Sequence, residues 1–182
     1  MAKTDVCRVM FEGGAITTIV TSSGASVKAW VDEVLSVHRR RLHDLIVGLD
    51  VEWRPLFGPG YSPTALLQLC VGRRCLVFQL LHADYNPAAL KEFLADPDYR
   101  FVGVGVAADA ARLWNDEDLN VANAVDLAEV AAEETGRVDL DKPEEVRLGR
   151  WNDYYLTTQQ IKYACIDAFV SFEVGRMLLG DN

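Results

Sequence analysis

The sequence predicts a mixed α/β (α+β) layer architecture folded as one domain. Three observations carry this. Strands come first and in antiparallel pairs, helices accumulate toward the C-terminus, and a near-continuous apolar run ending in acids, residues 45–52 (LIVGLDVE), reads as a strand buried on both faces. A chain of 182 residues, 50% of them apolar, can bury one substantial core, so 1–182 is taken as a single unit.

In chain order, residues 6–11 (VCRVMF) and 15–20 (AITTIV) are β-rich and parted by Gly13-Gly14, which predicts a hairpin. Val27, Trp30, Val31, Val34 and Leu35 recur at helical spacing, with Arg39-Arg40-Arg41 at the end of that helix. After the 45–52 strand, a Pro/Gly-rich loop runs from Pro55 to Pro63. Residues 65–71 and 74–80 make a second hairpin around Gly72-Arg73. A short helix is predicted from Pro87 to Leu94, a strand over 100–106, a helix from about Ala108, and a mostly helical stretch over 124–135. The last helix is opened by a capping box, Thr157 with Gln160, and runs to about Leu179.

Composition narrows the function. A formal net charge of -9 argues against a passive nucleic-acid binder, which needs a basic face for phosphates. It does not argue against a carboxylate cage that is cationic once loaded with metal. No apolar run has the length of a membrane span and no apolar leader opens the chain, so an intracellular protein of nucleus or cytoplasm is expected. Cys7, Cys70, Cys75 and Cys165 lack zinc-site spacing and read as free thiols of a reducing compartment.

Four carboxylates carry the chemistry. Asp50 and Glu52 lie two apart in a strand and leave one face near its C-terminal end, opposite Val47, Leu49 and Val51. Solvated acids at a fraying strand end are the plain alternative. Two like charges 5–7 Å apart repel by roughly 2–3 kcal/mol at an effective dielectric near 20, so a buried pair calls for a cation or a raised pKa. In the terminal helix, Ile161, Cys165, Ala168 and Phe172 form one apolar stripe. Tyr163 and Asp167, at i and i+4, take the other side, which Val170 and Val174 continue. A structural tyrosine–carboxylate tie is the alternative there. Asp109 follows the 100–106 strand at a helix start, where it either favours the helix dipole or points at the same sheet end as Asp50. With only three histidines in the chain, hard oxygen ligands suit Mg²⁺ or Mn²⁺ rather than zinc, and such a site performs in-line displacement at phosphorus.

VGLDVEW (47–53), VGVGVAADAARL (102–113) and YACIDAF (163–169) resemble, in order, the three exonuclease motifs of the DEDD (DnaQ-like) superfamily, in its Werner-exonuclease and ribonuclease D branch and tyrosine subtype. LLQLCVG (66–72) agrees, and the likeness runs from about residue 15 to 179, resembling most the small stand-alone plant members. The resemblance implies a ribonuclease H-like fold with a mixed central sheet and 3′→5′ removal of nucleoside 5′-monophosphates from a DNA or RNA 3′ end. It implies that Asp50, Glu52, Asp109 and Asp167 hold two Mg²⁺ or Mn²⁺ ions and that Tyr163 orients the attacking water. Trp53 and Leu56 become candidates to pack against the terminal base.

One departure stands out: the segment between the second and third motifs, at 132–146, is shorter than members of this superfamily usually carry. Two consequences follow. The chain could be a weakly active or inactive exonuclease-like binding or assembly module. Alternatively, a homo-oligomer could complete the groove with a neighbour's arginines. The G-x-G-x-x-A string at 103–108, with Asp126 beyond it, mimics a dinucleotide fingerprint, but too few strands follow it for a nucleotide-binding βαβ run.

Overall fold

The structure, a computed structural model, describes residues 1–134 and 148–180. Strands β1 (Thr4–Phe11) and β2 (Gly14–Thr21) pair antiparallel. Their turn is one residue earlier than expected: Glu12 and Gly13 both have positive φ, which sends the chain back with the twist a hairpin needs, and Gly14 is already in β2. Helix α1 (Gly24–Val37) follows, capped by the Ser23 side chain on the Ser26 N–H, and buries Val27, Trp30, Val31 and Val34.

Strand β3 (Ile46–Glu52) is the buried run, and it pairs antiparallel with β4 (Leu66–Val71). A two-residue turn at Gly72-Arg73 leads into β5 (Arg74–Gln79). Helix α2 (Ala88–Ala95) precedes β6 (Arg100–Gly103) and α3 (Val106–Glu117). The expected strand over 100–106 is therefore cut at Gly103. A Cβ at Gly103 would lie 2.5 Å from the Leu49 carbonyl oxygen, and Gly105 turns the chain through positive φ into a helix that starts before Ala108. The stretch expected as helical from 124 divides into β7 (Ala124–Asp126) and α4 (Leu127–Glu134). The final helix, α5 (Thr158–Leu179), has the expected capping box, Gln160 N–H to Thr157 Oγ1 at 3.1 Å and Thr157 N–H to Gln160 Oε1 at 2.9 Å. The shortened 132–146 segment falls largely outside the described residues.

The seven strands form one sheet in the order β1-β2-β5-β4-β3-β6-β7. β2 runs parallel to β5, and β3, β6 and β7 run parallel to one another, so the sheet is mixed, as the resemblance implied. Helices cover both faces. Phe93 of α2 meets Trp30 of α1 and Phe101 of β6 in edge-on ring contacts, which places α1 and α2 over the face of Val47 and Phe101. α5 lies across the other face, along β3 and its neighbours.

The α5 approach depends on absent side chains. A Cβ at Gly48 would sit 2.1 Å from the Ala168 carbonyl oxygen and 2.8 Å from the Phe172 nitrogen, and one at Gly175 would sit 2.6 Å from Val102 Cγ2. Backbone therefore rests on backbone at Gly48, and the helix backbone at Gly175 rests on the Val102 side chain.

Candidate active site

Residues alternate across a strand, so Gly48, Asp50 and Glu52 share the face on which α5 lies. The close crossing at Gly48 sets Asp167, the residue before Ala168, beside the acids of β3. Carboxylate oxygens of Asp50, Glu52 and Asp167 all lie within 4.8 Å of one another. Glu52 is 7% exposed, and Asp50 and Asp167 are half-buried. Asp109, in the first turn of α3, is also 7% exposed. β6, which leads into α3, is the parallel neighbour of β3, as the expected convergence requires. Asp109 nevertheless stands outside the tight group of three.

Tyr163 is half-buried one turn before Asp167, and its ring centroid lies 6.0 Å from that of Trp151. Trp151 is fully buried, and sequence reasoning missed it. The only signal was a tryptophan in an otherwise polar stretch, GRWNDYY. Its segment is tied to the end of β5: Gln79 Nε2 donates to the Tyr154 carbonyl at 2.9 Å, and His82 Nε2 lies 2.8 Å from the Asn152 carbonyl. Gln68 was also missed. It stands directly across from Asp50 in β4, wholly buried, and its amide has no hydrogen-bond partner among the described residues. Burying an amide without partners costs about 1–3 kcal/mol, so Gln68 calls for polar company at this pocket.

Trp53 and Leu56 part company. Leu56 is exposed and lines a groove of about 510 Å³ together with Arg54, Phe57, Tyr61, Arg150 and Asn152. Trp53 is half-buried beneath Arg112 of α3, whose guanidinium carbon is 3.8 Å from the ring centroid. Arg112 also donates to the Ser62 carbonyl at 3.0 Å, and one turn on, Asp116 accepts from Tyr61 Oη (2.7 Å), the Thr64 N–H (2.8 Å) and Thr64 Oγ1 (2.7 Å). The Pro/Gly-rich loop is thus latched onto the helix that carries Asp109. Burial raises the Asp116 carboxyl, but the hydrogen bonds from Tyr61, Thr64 and Asn115 outweigh it and hold the group below its ordinary value.

All four cysteines are free; Cys70, Cys75 and Cys165 are buried. The Cys165 thiol is pushed far up by its bond with Cys75 and by burial, so it is an inert core group rather than a nucleophile. No helix among the described residues is long and apolar enough to cross a membrane.

Comparison with known proteins agrees with this geometry. A family model described as 3′-5′ exonuclease matches residues 20–179. A 3′-5′ exonuclease of Arabidopsis thaliana is 30% identical over 91% of this chain and 64% of its own length. The bifunctional 3′-5′ exonuclease/ATP-dependent helicase WRN of Mus musculus is 32% identical over 91% of this chain and 13% of its own. The chain therefore spans less than two thirds of these relatives. The EXD2 exonuclease domain soaked in Mn and GMP superposes with a TM-score of 0.56 at 26% identity, over 90% of each chain. The Nibbler EXO domain of Aedes aegypti, at 17% identity over 87% of this chain and 85% of its own, shares the fold with a TM-score of 0.67. With the motifs in order, the mixed sheet and the acids gathered under α5, the chain belongs to the DEDD family of 3′-5′ exonucleases.

Proposed function

We propose that this protein is a metal-dependent 3′-5′ exonuclease that releases nucleoside 5′-monophosphates from single-stranded or 3′-recessed nucleic acid. The observation that carries the reading is the convergence of Asp50, Glu52 and Asp167, from two elements far apart in the chain, within 4.8 Å. The donor set is all carboxylate oxygen, which fits Mg²⁺ or Mn²⁺ rather than zinc. The Gln68 amide beside Asp50, without a hydrogen-bond partner among the described residues, fits a hydrated ion pocket. Asp50, Glu52, Asp167 and, from α3, Asp109 are the residues that would hold two ions. The chemistry such ions supply when bound is activation of a water and stabilisation of the leaving oxygen.

The chain's own residues do the rest. β3 holds Asp50 and Glu52 on a buried strand, so their carboxylates need little ordering when substrate arrives. The Tyr163 hydroxyl, on the same side of α5 as Asp167, hydrogen-bonds and orients the attacking water, and the Trp151 ring limits its motion. Leu56 in the groove wall and Trp53, backed by Arg112, pack against the terminal base. The EXD2 structure soaked in Mn and GMP supports both the metal and the product class.

The test is digestion of matched 5′-end-labelled single-stranded DNA and RNA with Mg²⁺ or Mn²⁺. A ladder shortening from the 3′ end, abolished by EDTA, is expected. Degradation untouched by EDTA would sink the site assignment. Strand binding with no ladder under any metal would favour the binding-module alternative.

A further inference from the structure

Besides Arg54, Arg112 and Arg150 near the candidate active site, the described residues gather a second group of arginines at the opposite end of β3. There a groove of about 1040 Å³ is walled by Arg40, Arg41, Arg100 and Arg176 over an apolar floor that includes Ile46 and Phe172. Arg39 adjoins it beside Arg40 and Arg41. Asp44 is the one acid among the described lining residues, and it is engaged by His43 at 2.9 Å. Glu173 faces Arg176 at 2.8 Å.

Helix ends account for three of these cations but not for Arg40 and Arg41: Arg39 donates to the Ser36 carbonyl at 3.2 Å, Arg100 to the Leu179 carbonyl at 3.1 Å, and Arg176 stands in the last turn of α5. Arg39 to Arg41 lie beyond His38, which caps α1, and no basic residue occupies its last turn. The C-termini of α1 and α5 both end at the groove and bring about half a negative charge each. Among the described residues, those helix ends together with Asp44 and Glu173, set against the five arginines, leave a surplus of about two positive charges. The Arg40 and Arg41 side chains are exposed, and the ion pairs and hydrogen bonds nearby among the described residues fall to Arg39 and Arg74 instead. Burial first, and Arg74 second, hold His38 below its ordinary range, so near neutral pH the surplus rests on arginine.

We propose that this groove holds the sugar–phosphate strand of the substrate several nucleotides behind its 3′ end. The inference rests on the exonuclease reading. Bound metal and the arginines of the Leu56 groove, Arg54 and Arg150, serve only the phosphates at the 3′ end, so a longer strand gains hold from cations farther back. Guanidinium groups suit phosphate oxygens, and the apolar floor suits a sugar or an unstacked base. β3 has seven residues and spans about 20 Å, the rise of roughly six stacked nucleotides. A strand of several nucleotides is needed to reach from the carboxylates to Arg40, fewer than about six where the bases unstack.

The measurement is fluorescence anisotropy in EDTA, where no turnover occurs, with a trinucleotide and a strand of roughly twenty nucleotides at several salt concentrations. In Arg40→Glu/Arg41→Glu, the preference for the long strand over the trinucleotide should fall about ten-fold or more. Its salt slope should fall by about two. Arg40→Lys/Arg41→Lys should keep most of both. The positions are exposed, so an unchanged melting curve is expected and certifies the fold. Unchanged long-strand affinity and slope in the charge-reversed variant overturn the assignment. Because binding is read without catalysis, failure of the groove and failure of the nuclease reading are separate results.

Discussion

Tyr163 and the acids around it have assigned roles that substitution can separate. Tyr163→Phe removes one oxygen from a ring still packed on Trp151. Turnover should fall by roughly one to four powers of ten, with metal binding and melting temperature little changed. Unchanged turnover would reduce the hydroxyl to a structural tie. Asp50→Asn with Glu52→Gln should abolish activity. Two carboxylate charges 4.8 Å apart repel by about 3.5 kcal/mol at an effective dielectric near 20, less where Asp50 meets solvent. In metal-free buffer the amide variant should therefore unfold at the same or slightly higher denaturant. A marked loss of stability there would mean that fixed positive groups of the protein hold these acids.

Among the elements, the crossing of α5 over β3 decides whether the site exists. Gly48→Ala would force a Cβ to within 2.1 Å of the Ala168 carbonyl oxygen, and neither backbone can yield without moving the helix. A loss of about 1–3 kcal/mol is expected from overpacking, with weaker Mn²⁺ affinity by calorimetry as Asp167 is pushed from Asp50. Full metal affinity in this variant would show that the acids do not depend on the crossing. The latch from α3 is a second case. Asp116→Asn should cost about 1–2 kcal/mol and free the 54–63 loop to proteolysis, and Arg112→Ala should raise KM more than it lowers kcat. Since Asp116 is held below its ordinary 3.8, its contribution is complete above about pH 4 and is lost as pH falls through the lower folded value. Loop cleavage that is insensitive to both substitutions would remove the latch from the account of substrate binding.

For the molecule as a whole, a homo-oligomer remains our proposal. The short 132–146 segment of the sequence motivates it, since a missing groove wall calls for a neighbouring subunit. Arg54 and Arg150 of the same chain already line the groove, so the neighbour's part would be to extend it. Sedimentation at micromolar concentration should show self-association. A strictly monomeric protein with full activity on short single strands disposes of the idea.

Much of this was legible in the order of residues. The buried β3 run, the hairpin around Gly72 and the Thr157–Gln160 box are local signals, set by alternation, turn chemistry and capping, and all three stand in the structure. Short elements were not legible in this way. Residues 124–126 follow helical spacing with what comes after them, and only hydrogen bonding to β6 makes them a strand. The acids themselves could be named from their motifs, and their convergence could be expected only through a family likeness. Bringing Asp167 within 4.8 Å of Asp50 takes a helix resting on Gly48, and setting the strand that leads to Asp109 beside them takes a parallel register between β3 and β6; both are long-range contacts. Trp151 behind Tyr163, Gln68 across from Asp50 and Arg112 over Trp53 belong to the same class. No local pattern marks such residues, because their role is set by which surface the fold presses them against.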